Sequence, residues 1–179
     1  MKRLLALARL IDALTDAFAA IAKWAILAAC AISTSNAVVR YSMDYSSNAF
    51  LEIQWYLFAI CVMFGAAQVL RVNEHVRVDI FYGMYPTRSK VVIDLLGLCL
   101  FLLPMTLFIA YSSLPVLLKM IASQEMSSNA GGLIRWPAML TIPLGMGLVA
   151  LQGVAEIIKR VGWLMHVHDM DTHYERPLQ

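Results

Sequence analysis

An all-α integral membrane protein with four transmembrane helices is the fold class that this sequence predicts. Three observations carry the prediction. The 179-residue chain is 60% hydrophobic and only 15% charged, with a mean hydropathy of +0.69, so too few polar residues exist to cover a soluble globule. Four apolar runs are each long enough to cross a bilayer core, which takes about 20 helical residues. Period-2 alternation is absent, which excludes a β-barrel. One membrane domain is expected to cover residues 1–179.

The elements follow in order. The opening MKRLLALARLIDALTDAFAA has a basic start and small residues near its end, like a signal peptide. Asp12 and Asp16, however, interrupt the apolar core that such a peptide requires. On a helical wheel Leu4, Leu7, Ile11, Leu14, Phe18 and Ile21 share one face, and Arg9, Asp12, Asp16 and Lys23 gather on the other. That pattern predicts an amphipathic helix over about residues 3–17, lying in the cytoplasmic interface and leading into the first span. The alternative is a continuous tilted helix whose lower end emerges into water.

The four spans are expected at about 18–39, 53–70, 91–112 and 137–158, the last with Pro137 in its first turn, where a missing N–H is not needed. Of the two outer connections, the first carries Tyr41, Asp44 and Tyr45. The other sets Leu114, Leu117, Leu118 and Ile121 against Lys119 and Gln124, and so prolongs the third helix or lies along the membrane. Pro104 and Pro115 are two places where that helix can bend. SSNAGG, residues 127–132, is the clearest turn. The tail is residues 159–179.

Lysine and arginine set the orientation. One side collects Lys2, Arg3, Arg9, Arg71, Arg77, Arg88, Lys90, Lys159, Arg160 and Arg176; the other has Arg40, Lys119 and Arg135. Both termini are therefore expected in the cytoplasm. A net charge of +2, with no basic patch interleaved with aromatics, argues against nucleic acid as a partner. Membrane lipid is the expected surroundings.

Ionisable residues inside a membrane are functional suspects, yet here they gather at its edges. Lys23 can snorkel, Asp94 has Lys90 four residues before it, and Glu156 has Arg160 four residues after it. Glu52 stands at the outer start of the second span, where a helix N-terminus favours negative charge or where a neighbouring subunit is within reach. No phosphate loop, dinucleotide glycine pattern or HExxH occurs, and no cofactor is expected. The tail HVHDMDTH resembles metal-ligand material, but no rigid element fixes it, and no metal site is predicted. Cys30, Cys61 and Cys99 are far apart in apolar runs and read as buried apolar residues. Ala25, Ala29, Ser33 and Ala37 recur every four residues, and Cys61 with Gly65 repeats that interval, which suits close helix packing within the chain or against a partner.

Charge concentrates in RVNEHVRVD, residues 71–79. His75, Arg77 and Asp79 have acid–base chemistry; as a membrane boundary, Arg71 and Arg77 are neutralised by Glu74 and Asp79. The run from Glu52 through Trp55, then FGAAQVLRVNEHVRVDIFY at residues 64–82 with Pro86 after it, resembles the small membrane subunit of tripartite ATP-independent periplasmic (TRAP) transporters. Residues 127–160, SSNAGGLIRWPAMLTIPLGMGLVALQGVAEIIKR, are similar to its branch for mannitol or chloroaromatic compounds. The histidine-bearing tail has no place in that pattern.

The resemblance implies a bacterial inner-membrane scaffold that pairs with a large substrate-carrying subunit and helps dock a periplasmic substrate-binding protein, for sodium-driven uptake of an organic acid or related solute. It implies no catalytic residue. Subunit-interface candidates are Glu52, Trp55, Gly65, Arg71, Glu74, His75, Arg77 and Asp79; docking candidates are Asp44, Tyr45, Lys119, Glu125 and Arg135. A free-standing four-helix adaptor or a small membrane enzyme are the alternatives, and the latter lacks inward-facing acids or histidines at one depth.

Overall fold

The computed structural model describes residues 1–45, 47–73, 84–167 and 169. Among these residues four helices are long and apolar enough to cross a membrane, and there is no strand. They are α1 (Lys2–Met43), α2 (Asn48–Arg71), α3 (Thr87–Ser123) and α4 (Trp136–Leu164). The all-helical four-span class is borne out.

The opening segment of α1 is not a separate element. Residues 2–43 contain neither glycine nor proline and are rich in alanine, the best helix former, so nothing halts the helix. Its 42 residues extend about 63 Å, roughly twice the bilayer core. It stops at Asp44, in the left-handed region at φ 51°.

The face that α1 buries also differs from the expected leucine face. Ala8, Ile11, Thr15, Ala19, Ala22, Ala25 and Ala29 are buried, whereas Leu4, Leu7, Leu14 and Ile21 are exposed. Lipid is as apolar as leucine, so burying leucine between helices gains little there; small residues gain by letting backbones approach. The four-residue ridge divides: Ala25 and Ala29 are buried, and Ser33 and Ala37 are exposed.

Helices α1, α2 and α4 form the packed core, and α3 lies against α4. Ala22, Phe64, Ala67 and Leu148 make one cluster of that core. Phe18 meets Phe64 edge-to-face at 4.9 Å, an arrangement contributing about 1 kcal/mol beyond burial. Close contact depends on two glycines of α4. A Cβ on Gly145 would stand 2.6 Å from Met63 Cβ, and one on Gly153 would stand 2.8 Å from Leu102 Cδ2.

Helix α3 is α-helical over Thr87–Gly97, widens into a π turn at Leu98–Leu102, and resumes over Leu103–Ser123. Pro104 explains the widening: it lacks an N–H, and its ring would crowd the carbonyl four residues back. The outer connection thus begins as helix to Ser123 and turns at Gln124, φ 48°. Cys30 and Cys99 are exposed and Cys61 is half-buried, all three free, so the expected burial is corrected for the first two. Cys30 and Cys99 lie on helix sides turned away from the bundle.

Candidate functional site

Two polar layers bracket the bundle. The first lies where α1 begins and α4 finishes. Thr15 donates to Gln152 Oε1 at 2.8 Å, and Gln152 Nε2 donates to Asp12 at 2.9 Å and to Glu156 at 3.1 Å. Lys159 also reaches Asp12 at 3.1 Å and pairs with Glu156. Arg160 holds Glu156 at 2.5 Å and Asp94 of α3 at 3.3 Å. Arg71, the last residue of α2, bonds Asp16 and donates to the Asp12 carbonyl at 3.3 Å. All four helices are thereby tied at one level. Glu156 and Arg160 are each 5% exposed, and a buried charge is tolerable only when paired and hydrogen-bonded.

This layer corrects two expectations. Asp12 and Asp16, expected on the polar face of an interfacial helix, bond α2 and, through Asp12, α4. The Glu156–Arg160 pair is present as expected, but Asp94 also crosses to Arg160. Gln152, which joins Asp12, Thr15 and Glu156, is wholly buried. Its sequence signal was a lone amide inside an apolar run.

At the other end the α3–α4 loop is clasped onto α2. Asn48, Glu52 and Tyr56 are four residues apart and so share one helix face. Asn48 donates to the Ala130 carbonyl at 3.0 Å, and the Tyr56 hydroxyl donates to the Ile134 carbonyl at 2.7 Å. Between them Glu52, 3% exposed, accepts from the Ser127 hydroxyl, from Asn129 Nδ2 at 2.7 Å and from the Leu133 N–H at 2.6 Å. The 127–132 turn is present, with Gly131 at φ 70°. Gly132 has no room for a side chain, because a Cβ would lie 2.6 Å from Ser127 Cβ and 2.8 Å from Glu52 Oε1. Arg135 pairs with Glu125 at 2.5 Å beside the clasp.

Glu52 and Arg71 are nineteen residues apart on α2, about 28 Å at the helical rise. The two layers are therefore separated by about the thickness of a hydrocarbon core. Among the described residues no cluster of three or more His, Cys, Asp or Glu is arranged to hold a metal ion. What the arrangement does chemically is fasten helices at two depths; its carboxylates already have cationic or hydrogen-bonding partners.

Residues 29–162 match the family model for tripartite ATP-independent periplasmic transporters, DctQ component. The chain belongs to this family. The match covers about three-quarters of the chain, and it makes the protein a multi-pass membrane component of a TRAP transporter. No curated protein and no solved structure matches it. The DctQ match contains the Glu52 clasp, Arg71, Asp94 and the α4 charges, while Asp12, Thr15 and Asp16 precede it.

Within this DctQ chain the predicted interface residues fall into different settings. Glu52 faces inward, Trp55 is 65% exposed, and Gly65 is half-buried with Ala22 facing it. Arg71 is committed to Asp16 and Asp12. Glu74, His75, Arg77 and Asp79 lie outside the described residues. Of the docking candidates, Asp44, Tyr45 and Lys119 are exposed, and Glu125 with Arg135 forms the pair beside the clasp. The partners of Glu52, namely Ser127, Asn129 and the Leu133 N–H, lie in or beside a segment that carried only a turn signal in sequence.

Proposed function

We propose that the chain is the static scaffold of its TRAP transporter, lying in the bacterial inner membrane with both termini in the cytoplasm. It pairs with the large membrane subunit, which carries substrate and sodium. The face bearing Asp44, Tyr45, Lys119, Glu125 and Arg135 helps dock the periplasmic substrate-binding protein. RVNEHVRVD, most of which lies outside the described residues, contributes to the contact with the large subunit. The transported solute is an organic acid or a related solute, and its selection belongs to the other two proteins.

One observation carries this reading: among the described residues, the charged side chains that pair within the bundle do so in two layers, rather than in a line of groups across it. A scaffold needs such braces, whereas a carrier needs partly free ligands near one depth. The exposed apolar side of α3, with Leu100, Phe101, Met105 and Phe108, leaves surface for a large membrane partner.

The test is co-expression of the tagged chain with the large subunit. A stable one-to-one complex is expected after detergent extraction. Recovery of the tagged chain alone, with the large subunit eluting separately, would reject the pairing.

A further inference from the structure

A cleft of about 460 Å³ opens beside the clasp, and no brace described above fills it. Its upper wall is polar, with Ser128, Asn129 and Arg135; its lower wall is apolar, with Trp55, Met139 and Ile142. From Trp136 to Ile142 is six helical residues, so the apolar wall descends about 9 Å from the start of α4. We infer that this cleft binds one phospholipid, its phosphate on Arg135 and Ser128 and the head of an acyl chain along Trp55, Met139 and Ile142.

Three observations select that occupant. The first is depth. The cleft begins at the Glu52 layer, about 28 Å along α2 from Arg71, which is where hydrocarbon gives way to headgroups. A polar-above, apolar-below cavity at that depth has the polarity of a lipid and not of a water-soluble solute. The second is charge. Glu52 also lines the cleft, but three donors already engage its oxygens.

Arg135 is the cation in the wall, and its side chain is half exposed; Glu125 takes Nη1, leaving the rest of a planar fork suited to phosphate oxygens. The first turn of α4 starts at the same place with no acidic residue in it, so the positive end of a 29-residue helix adds to the field. The third is access. Trp55 stands at the mouth with most of its ring uncovered, and indole favours the membrane interface.

The inference does not depend on transport and stands on the cleft alone. It is tested by native mass spectrometry of the full chain, delipidated in detergent and then given dioleoyl phosphatidylglycerol, dioleoylglycerol or inorganic phosphate. One phosphatidylglycerol per chain should persist under activation that strips other lipid, and dioleoylglycerol should not. Arg135→Gln should reduce retention about tenfold, the worth of one charge-assisted phosphate contact. Ala138→Phe, which fills the lower cleft, should do the same. Glu125→Gln breaks the same ion pair but frees the guanidinium, so retention should hold or rise; a mere folding defect would lower it in both variants. Retention indifferent to Arg135→Gln and Ala138→Phe, or equal retention of dioleoylglycerol, overturns the proposal. So does displacement of the lipid by inorganic phosphate at matched concentration, which would make this an anion site. Unchanged retention in Ala138→Phe, with loss of the large subunit, would assign the cleft to a protein contact instead.

Discussion

Gly132 shows how much one absent methyl group decides. The loop passes so close to Glu52 that a Cβ would sit 2.8 Å from its carboxylate and 2.6 Å from Ser127 Cβ. Gly132→Ala is therefore expected to loosen the clasp, at the roughly 1–3 kcal/mol typical of overpacking. A cysteine at Ser128 should then react faster with a water-soluble maleimide than in the parent protein; an unchanged rate would mean that the loop accommodates the methyl. At the opposite end Gln152 bridges Asp12, Thr15 and Glu156. Gln152→Leu leaves the buried Thr15 and Glu156 each short of a hydrogen bond, a loss of about 1–3 kcal/mol. Thermal unfolding in detergent should register it as a lower midpoint, and an equal or higher midpoint would show that the amide is dispensable.

Helices were more legible in the sequence than their faces. Long apolar runs announce four spans because a bilayer demands internally bonded backbone over about 20 residues. The leucine stripe of α1 misleads because amphipathicity reports contrast with water, while packing inside lipid selects alanine and glycine. Asp12 and Asp16 were likewise visible as charges, yet their partners Arg71 and Lys159 lie far away in sequence. No spacing rule joins them. The Glu52 clasp was half legible: the turn was plain, and its carboxylate partner was not. The ridge on α1 provides an element-scale test. Because Ala29 is buried and Ala37 exposed, Ala29→Leu should lower the yield of the chain itself. Ala37→Leu should spare that yield and weaken capture of the large subunit, if this surface meets it as proposed. Equal behaviour of the two variants in both assays would contradict the division.

The molecule as a whole is a bundle braced at two depths, about one hydrocarbon thickness apart. That spacing, with lysine and arginine concentrated near one layer, predicts topology. Cysteines at Asp44 and Ser128 should label from the periplasm in intact cells, and one at Asn73 should not; labelling at Asn73 would reverse the orientation. On the scaffold reading, the chain's charges hold a transporter together and do not carry its solute. Arg71 tests it most directly, because it lies in the DctQ match and ties α2 to Asp12 and Asp16 of α1. The measurement is Arg71→Ala in the assembled transporter, scored both for complex yield and for uptake per complex in proteoliposomes. Reduced yield, with uptake per assembled complex unchanged, is the expected result. Normal yield with uptake abolished would contradict it.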